Sequence, residues 1–140
     1  MKNIQKQNKV ISNLYKKLTD IRMNHLHQCT SEIVKTKPSR IIMETLNIKG
    51  MMKNKHLSRA IAEQCLYEFK RQIQYKCIKY GIEFVEADKW FDSSKKCSCC
   101  GTIKKDLKLK DRIYKCSCGF KSDRDLNASI NLANYSIQSA

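Results

Sequence analysis

An α/β fold of long helices and short parallel strands, carrying one small insert, follows from three features of this 140-residue chain. Apolar residues recur at helical spacing from Ile4 to Val34, a strand–helix–strand pattern occupies the middle, and five of the eight cysteines crowd between Cys97 and Cys118.

Ile4, Ile11, Leu14, Leu18, Ile21, Leu26, Cys29 and Ile33 lie close to the three-four spacing of one helical stripe, which predicts a long amphipathic helix. Pro38 cannot continue it. Arg40 to Glu44 is a short apolar run closed by an acid, so it reads as a buried strand with Glu44 at its carboxyl end. Asn47 to Lys55 is expected to be a loop around Gly50. Leu57, Ile61, Cys65, Phe69, Ile73 and Cys77 repeat every four residues and predict a second helix, stopped by Gly81, with Cys65 and Cys77 as core thiols. Ile82 to Ala87 is then a second strand, and such a unit is almost always parallel and right-handed. Functional groups of open α/β sheets gather beyond the carboxyl ends of the strands, where Glu44 and Asp88 stand. Arg124 to Ile137, with Leu126, Ile130, Leu132 and Ala133, predicts a closing helix capped by Asp123 or Asp125.

The cysteines form two knuckles, Cys97-Ser-Cys-Cys100-Gly and Cys116-Ser-Cys118-Gly, separated by fifteen residues. That interval falls within the roughly 15 to 20 residues expected between the pairs of a four-thiolate zinc site. The repeated Cys-Gly ending selects Cys97, Cys100, Cys116 and Cys118 as ligands and leaves Cys99 spare, because a glycine there admits the positive φ that turns amides towards thiolates. The second pair departs from a regular ribbon in having one intervening residue where two are usual. Two disulfides or unligated thiols are the competing readings; against the disulfides, the start lacks the apolar core of a signal peptide and a reducing compartment is expected. Four protein ligands leave no open position, so such a zinc would be structural.

Twenty-eight Lys and Arg against thirteen Asp and Glu give a net charge of +15. A polyanion is the default partner, and nucleic acid fits better than a membrane because no unbroken apolar span or lipidation signal occurs. Lys95, Lys96, Lys104, Lys105, Lys108, Lys110 and Lys115 surround the knuckles, where they favour thiolates and offer phosphate contacts. A merely basic, or ribosomal, protein is the plainer alternative. With no internal repeat beyond the knuckles and no Pro- or Gly-rich linker, one compact unit with an insert is expected.

Ile42-Met-Glu44-Thr-Leu-Asn-Ile-Lys-Gly-Met51, Trp90-Phe-Asp-Ser-Ser-Lys-Lys-Cys-Ser-Cys-Cys-Gly101, Tyr114-Lys-Cys-Ser-Cys-Gly119 and Asp123-Arg-Asp-Leu-Asn-Ala128 follow one another along nearly the whole chain. Together they resemble the TnpB (OrfB) proteins of bacterial insertion sequences, relatives of the type V CRISPR effector nucleases. The resemblance implies the C-terminal part of a RuvC domain of the ribonuclease H type, with a zinc ribbon inserted before the last helix. The implied divisions are 1–96 for the partial nuclease domain, 97–118 for the ribbon and 119–140 for the closing helix. It further implies RNA-guided cleavage of DNA with Mg²⁺ held by three carboxylates. By motif the second is Glu44 and the third Asp125, with Asp123 as its rival. Hard Mg²⁺ ions prefer oxygen, and two about 4 Å apart stabilise both the attacking water and the leaving oxygen. DNA would follow the lysine-rich face, with specificity carried by guide-RNA pairing.

In that family the first catalytic aspartate precedes the long amphipathic helix, and these 140 residues contain neither it nor the segments that hold guide RNA. The expectation is therefore a transposase-like fragment, cytoplasmic and nucleoid-associated, that binds zinc and DNA but holds Mg²⁺ poorly and is close to inactive alone. A strand normally paired upstream would leave an exposed apolar edge. The alternative is a non-catalytic zinc-ribbon accessory or regulatory protein binding DNA or RNA.

Overall fold

The computed structural model describes residues 2–108 and 110–135. Helix α1 spans Lys2–Lys35 and ends before Pro38, as its periodicity requires. Its second half packs along α4 (Leu66–Tyr80), and both lie beside the parallel pair β1 (Arg40–Glu44) and β2 (Glu83–Ala87). The register sets Arg40 beside Glu83 and Glu44 beside Ala87, so both strands deliver their carboxyl ends to one edge. Val34, Ile73, Cys77 and Ile82 form the buried core, with Ile41, Met43, Phe69 and Phe84 packed against it. A fully buried aliphatic side chain contributes about 1.5–3 kcal/mol, so Val34 and Ile73 rank among the main apolar contributors.

A polar chain crosses the same helix pair. Lys76 Nζ donates to Thr30 Oγ1 at 2.6 Å, Ser31 Oγ at 2.8 Å and the His27 carbonyl at 3.0 Å. Thr30 Oγ1 in turn donates to Gln72 Oε1 at 2.9 Å. Burial holds the Lys76 ammonium below its ordinary pKa, and its three acceptors supply the hydrogen bonds that such a buried charge requires.

Several expectations need correction. The stretch from Asn47 to Lys55 contains a short helix, α2 (Ile48–Met52), started by Asn47 Oδ1 accepting from the Gly50 amide at 2.9 Å. The second predicted helix is two: α3 (Ser58–Glu63) and α4, parted where Cys65 takes φ +51°. Cys65 is therefore a half-buried residue in left-handed geometry between two helices, whereas Cys77 is fully buried in the core. The stripe of α1 is also covered only in part, because Ile4, Ile11, Leu14, Leu18 and Ile21 are exposed. Gly81 does stop α4, with φ +66° and the Ile82 amide returning to the Cys77 carbonyl at 2.9 Å.

The remaining residues build a hairpin, β3 (Ile113–Lys115) against β4 (Lys121–Asp123), and helix α5 (Arg124–Ala133). Helix α5 touches β1 as well as the hairpin. It ends earlier than its periodicity suggests, and the expected continuation over 136–137 lies outside the described residues. No helix among the described residues is long and apolar enough to cross a membrane.

Candidate metal centre and the carboxylate cleft beside it

The first knuckle turns tightly. The Gly101 amide donates to the Cys97 carbonyl at 2.8 Å, and the Cys97 amide to that of Thr102 at 2.9 Å. The second closes the β3–β4 hairpin, with the Gly119 amide on the Cys116 carbonyl at 3.1 Å. Gly101 and Gly119 take φ +78° and +89°, the left-handed geometry expected of the Cys-Gly endings. In consequence the sulfurs of Cys97, Cys100, Cys116 and Cys118 lie within 4.8 Å of one another. Cys97–Cys118 is 3.9 Å and Cys100–Cys116 is 3.6 Å. A tetrahedral zinc about 2.3 Å from each thiolate sets its sulfurs about 3.8 Å apart, so this donor set fits that ion. Cys99 is exposed and outside the cluster.

The four thiols divide, Cys100 and Cys116 being drawn down and Cys97 and Cys118 pushed up. The Thr102 hydroxyl and amide draw Cys100 down to about 6. At Cys118 the Phe120 amide pulls the same way, but Cys100 and Cys116 push the group up to about 12. Burial raises Cys97 despite the amides that face it. A divalent cation held there would bind all four as thiolates. Beneath them Tyr114 is wholly buried, its hydroxyl donating to the Lys95 carbonyl at 2.9 Å. Burial first, and then the thiolate charges, push that phenol up to about 12.

Two asparagines pin this module to the α/β frame. Asn127 Oδ1 accepts from the Ser98 amide at 2.9 Å, and its Nδ2 donates to the Lys96 carbonyl at 2.7 Å. Asn131 Nδ2 donates to the carbonyls of Ser93 at 2.8 Å and Lys96 at 2.7 Å. Both are buried, while Leu126, expected on the apolar face, is 55% exposed. Sequence reasoning missed these asparagines and Ser93; the i, i+4 spacing of Asn127 and Asn131 was the available signal.

Ser93 also reaches the strand edge, where its hydroxyl donates to Glu44 Oε1. Glu44, Asp88 and Asp92 line one cleft of about 170 Å³ with Ser93. Asp123 caps α5, its Oδ1 accepting from the amides of Asp125 at 2.8 Å and Leu126 at 3.1 Å. Asp125 lies in the first turn of α5 with its side chain 73% exposed, 3.3 Å from Arg124, and is not among the residues lining the Glu44 cleft. Among the described residues no three carboxylates cluster as the cysteines do. That arrangement does not by itself form a magnesium site.

The lysines divide. Lys95 pairs with Asp92 at 3.3 Å, Lys96 sits 5.9 Å from the Phe91 ring centroid, and Lys104 donates to the Lys115 carbonyl at 3.3 Å. Lys105, Lys108 and Lys110 are exposed.

Fold and site together describe a basic α/β protein with a cysteine-clamped ribbon locked to its strand edge. Residues 67–132 match the family model described as the Cas12f1-like TNB domain. The chain is 35% identical over 130 residues to a proposed RNA-guided DNA endonuclease of Streptomyces pristinaespiralis, a match covering 93% of this chain and 32% of that one. It is 29% identical over 144 residues to the TnpB-like protein L79 of Acanthamoeba polyphaga mimivirus, covering 98% of this chain and 27% of the other. A cryo-EM structure of a Cas12f1–sgRNA–target DNA complex superposes with TM-score 0.66 at 28% identity, over 89% of this chain and 36% of that one. The chain is similar to these TnpB-like and Cas12f1-like proteins along most of its length and spans about a third of the length of the curated relatives it matches.

Proposed function

We propose that this chain is the zinc-ribbon-bearing C-terminal part of a RuvC-type, TnpB-like nuclease, binding DNA in the manner its relatives' names describe. Cys97, Cys100, Cys116 and Cys118 hold one structural zinc, and the closed set of four thiolates gives the metal a purely architectural role. The observation that carries the reading is the hydrogen-bonded path from the ribbon through Asn131 and Ser93 to Glu44, which ties the metal module to the strand end where the family motif puts a carboxylate.

Glu44 and Asp125 are proposed as two of the three magnesium ligands, with Asp123 assigned to the helix cap. Lys95, Lys96, Lys104, Lys105, Lys108 and Lys110 provide phosphate contacts, and a guide RNA is the expected second partner in a complete assembly. The site of action is the cytoplasm, at the nucleoid. These 140 residues alone are expected to cleave supercoiled DNA weakly or not at all, since two carboxylates hold Mg²⁺ poorly. The second reading, a non-catalytic zinc-ribbon accessory protein, is favoured by the separate placement of Asp125 from the Glu44 cleft.

The test combines zinc analysis of the purified chain, DNA binding with and without chelator, and nicking of supercoiled DNA in Mg²⁺. One zinc per chain and chelator-sensitive DNA binding are expected. Nicking abolished by Glu44→Gln would overturn the prediction of inactivity, and zinc-free protein with undiminished binding would overturn the ribbon's role.

A further inference from the structure

The first half of α1 stands clear of the rest of the chain. From Asn3 to Ile21 every residue is exposed, and hydrogen bonds to α4 begin only at His27, Thr30 and Ser31. By composition this stretch is a poor helix, with no alanine, three asparagines and four β-branched aliphatic residues. Helices owe most of their stability to packing of an apolar face, and here that face is bare within one chain. Ile4, Ile11, Leu14, Leu18 and Ile21 are between 42% and 66% exposed.

Their spacing points to what covers them. Ile4, Ile11 and Leu18 fall seven apart, as do Gln7, Leu14 and Ile21, so the two sets take the a and d places of a heptad. A strict seven-residue repeat keeps one seam against a second helix along its length. Charge is kept off that seam, because Lys6, Lys9 and Lys16 take c and f places on the far side. A lipid surface is gripped instead by cations level with the edges of a buried stripe, where headgroup phosphates lie.

We propose that the first half of α1 pairs, parallel and in register, with the same helix of a second copy of this chain, forming a short two-stranded coiled coil. Ile4 and Ile11 at a with Leu14 at d is the two-stranded preference. Gln7 sets orientation and register. In a parallel pair its amide meets its own twin, donor to acceptor, whereas antiparallel pairing would bury it against Leu18 with nothing to bond. The same register brings Val10 onto the partner's Tyr15, both exposed in the single chain, and widens the seam. Lys17 comes opposite the partner's Arg22, whose charge Glu63 offsets at 3.8 Å within its own chain. This pairing stands independently of the metal and DNA readings above.

The zinc-loaded chain, free of nucleic acid, is followed by sedimentation and circular dichroism. Mass should rise from 16.4 kDa towards twice that value between about 1 and 200 µM, and helicity should rise with it. Leu14→Glu should weaken the pairing at least about tenfold with zinc content unchanged. Ile78→Glu, at a still more exposed residue of α4, should pair like the parent. Gln7→Lys and Gln7→Glu should each weaken pairing alone, and an equimolar mixture should restore it, because in-register parallel helices set the two charges face to face. A monomer throughout that range, a Leu14→Glu variant that pairs like the parent, equal loss in Ile78→Glu, a mixture without recovery, or a mass that grows past two copies would overturn the proposal. So would a monomer that adsorbs to phosphatidylglycerol vesicles and loses that adsorption in Leu14→Glu, since the stripe would then belong to a lipid surface.

Discussion

Helices α1 and α4 meet over Val34, Ile73 and Cys77, whereas among its described apolar residues the ribbon buries only Cys97 and Tyr114, and it leans on Asn127 and Asn131 for its position. The helical half is held by excluded water with a polar bridge through Lys76. In the ribbon half, a cation bound by Cys97, Cys100, Cys116 and Cys118 would let all four stand as thiolates. So little apolar burial cannot offset the ordering of some thirty residues, and small modules of this kind depend on metal. With a metal bound as proposed, one chain carries two stability mechanisms that answer to different reagents.

The largest effect should come from removing the metal. Structural zinc contributes about 10–16 kcal/mol in small cysteine modules. A strong chelator, or Cys97→Ser, is therefore expected to collapse the amide spectrum of residues 96–123 while far-UV helicity from α1 and α4 persists. Loss of both halves together would show the comparison to be wrong. Acid should separate them as well, since protonating the thiolates displaces the ion. In the helical half Glu68 is held down to about 2, first by its hydrogen bond from Arg71 and then by Gln72. A carboxyl lowered in the folded state lends stability above its ordinary value of 4.5 and loses it as pH falls towards about 2. In an acid titration the ribbon should therefore loosen first.

Next in size is Ile73→Ala, which empties a fully buried site between α1 and the sheet. A cost of about 2–5 kcal/mol is expected in urea unfolding of the helical half. Zinc affinity, followed with a competing chelator, should stay where it was. A parallel fall in zinc affinity would mean that the halves fold as one cooperative unit. Smallest is Asp123→Ala, which removes the cap of α5 at about 1 kcal/mol. Because α5 carries both bracing asparagines, amide exchange in the first knuckle should quicken modestly, and no change there would confine the cap to its own helix.

Strand β1 runs from Arg40 to Glu44 as its short apolar run after Pro38 implies, though it is half-buried at its centre and exposed at its ends where a buried strand was expected, and Gly81, Gly101 and Gly119 all adopt the positive φ that their positions call for. These are local matters, decided within a few residues. Cys65 shows the limit: a four-residue repeat from Leu57 to Cys77 looks continuous, yet the backbone turns left-handed at that cysteine and divides the helix. Periodicity records which side chains are apolar and is blind to a single residue's φ. Asn127 and Asn131 escaped notice for a related reason. Polar residues in an amphipathic pattern are assigned to solvent, and their burial depends on carbonyls of Ser93 and Lys96 arriving from more than thirty residues away.

From the amino-acid order alone come the four thiol donors, the excess of positive charge and the acid at the end of a strand, because each depends on residue type and short covalent spacing. Tertiary structure decided that the ribbon is pinned by two amides, that Ser93 holds Glu44, and that much of the α1 stripe stands exposed on the single chain. Those outcomes turn on which distant groups meet when water is expelled and buried polar atoms must find partners, a condition that no local pattern encodes.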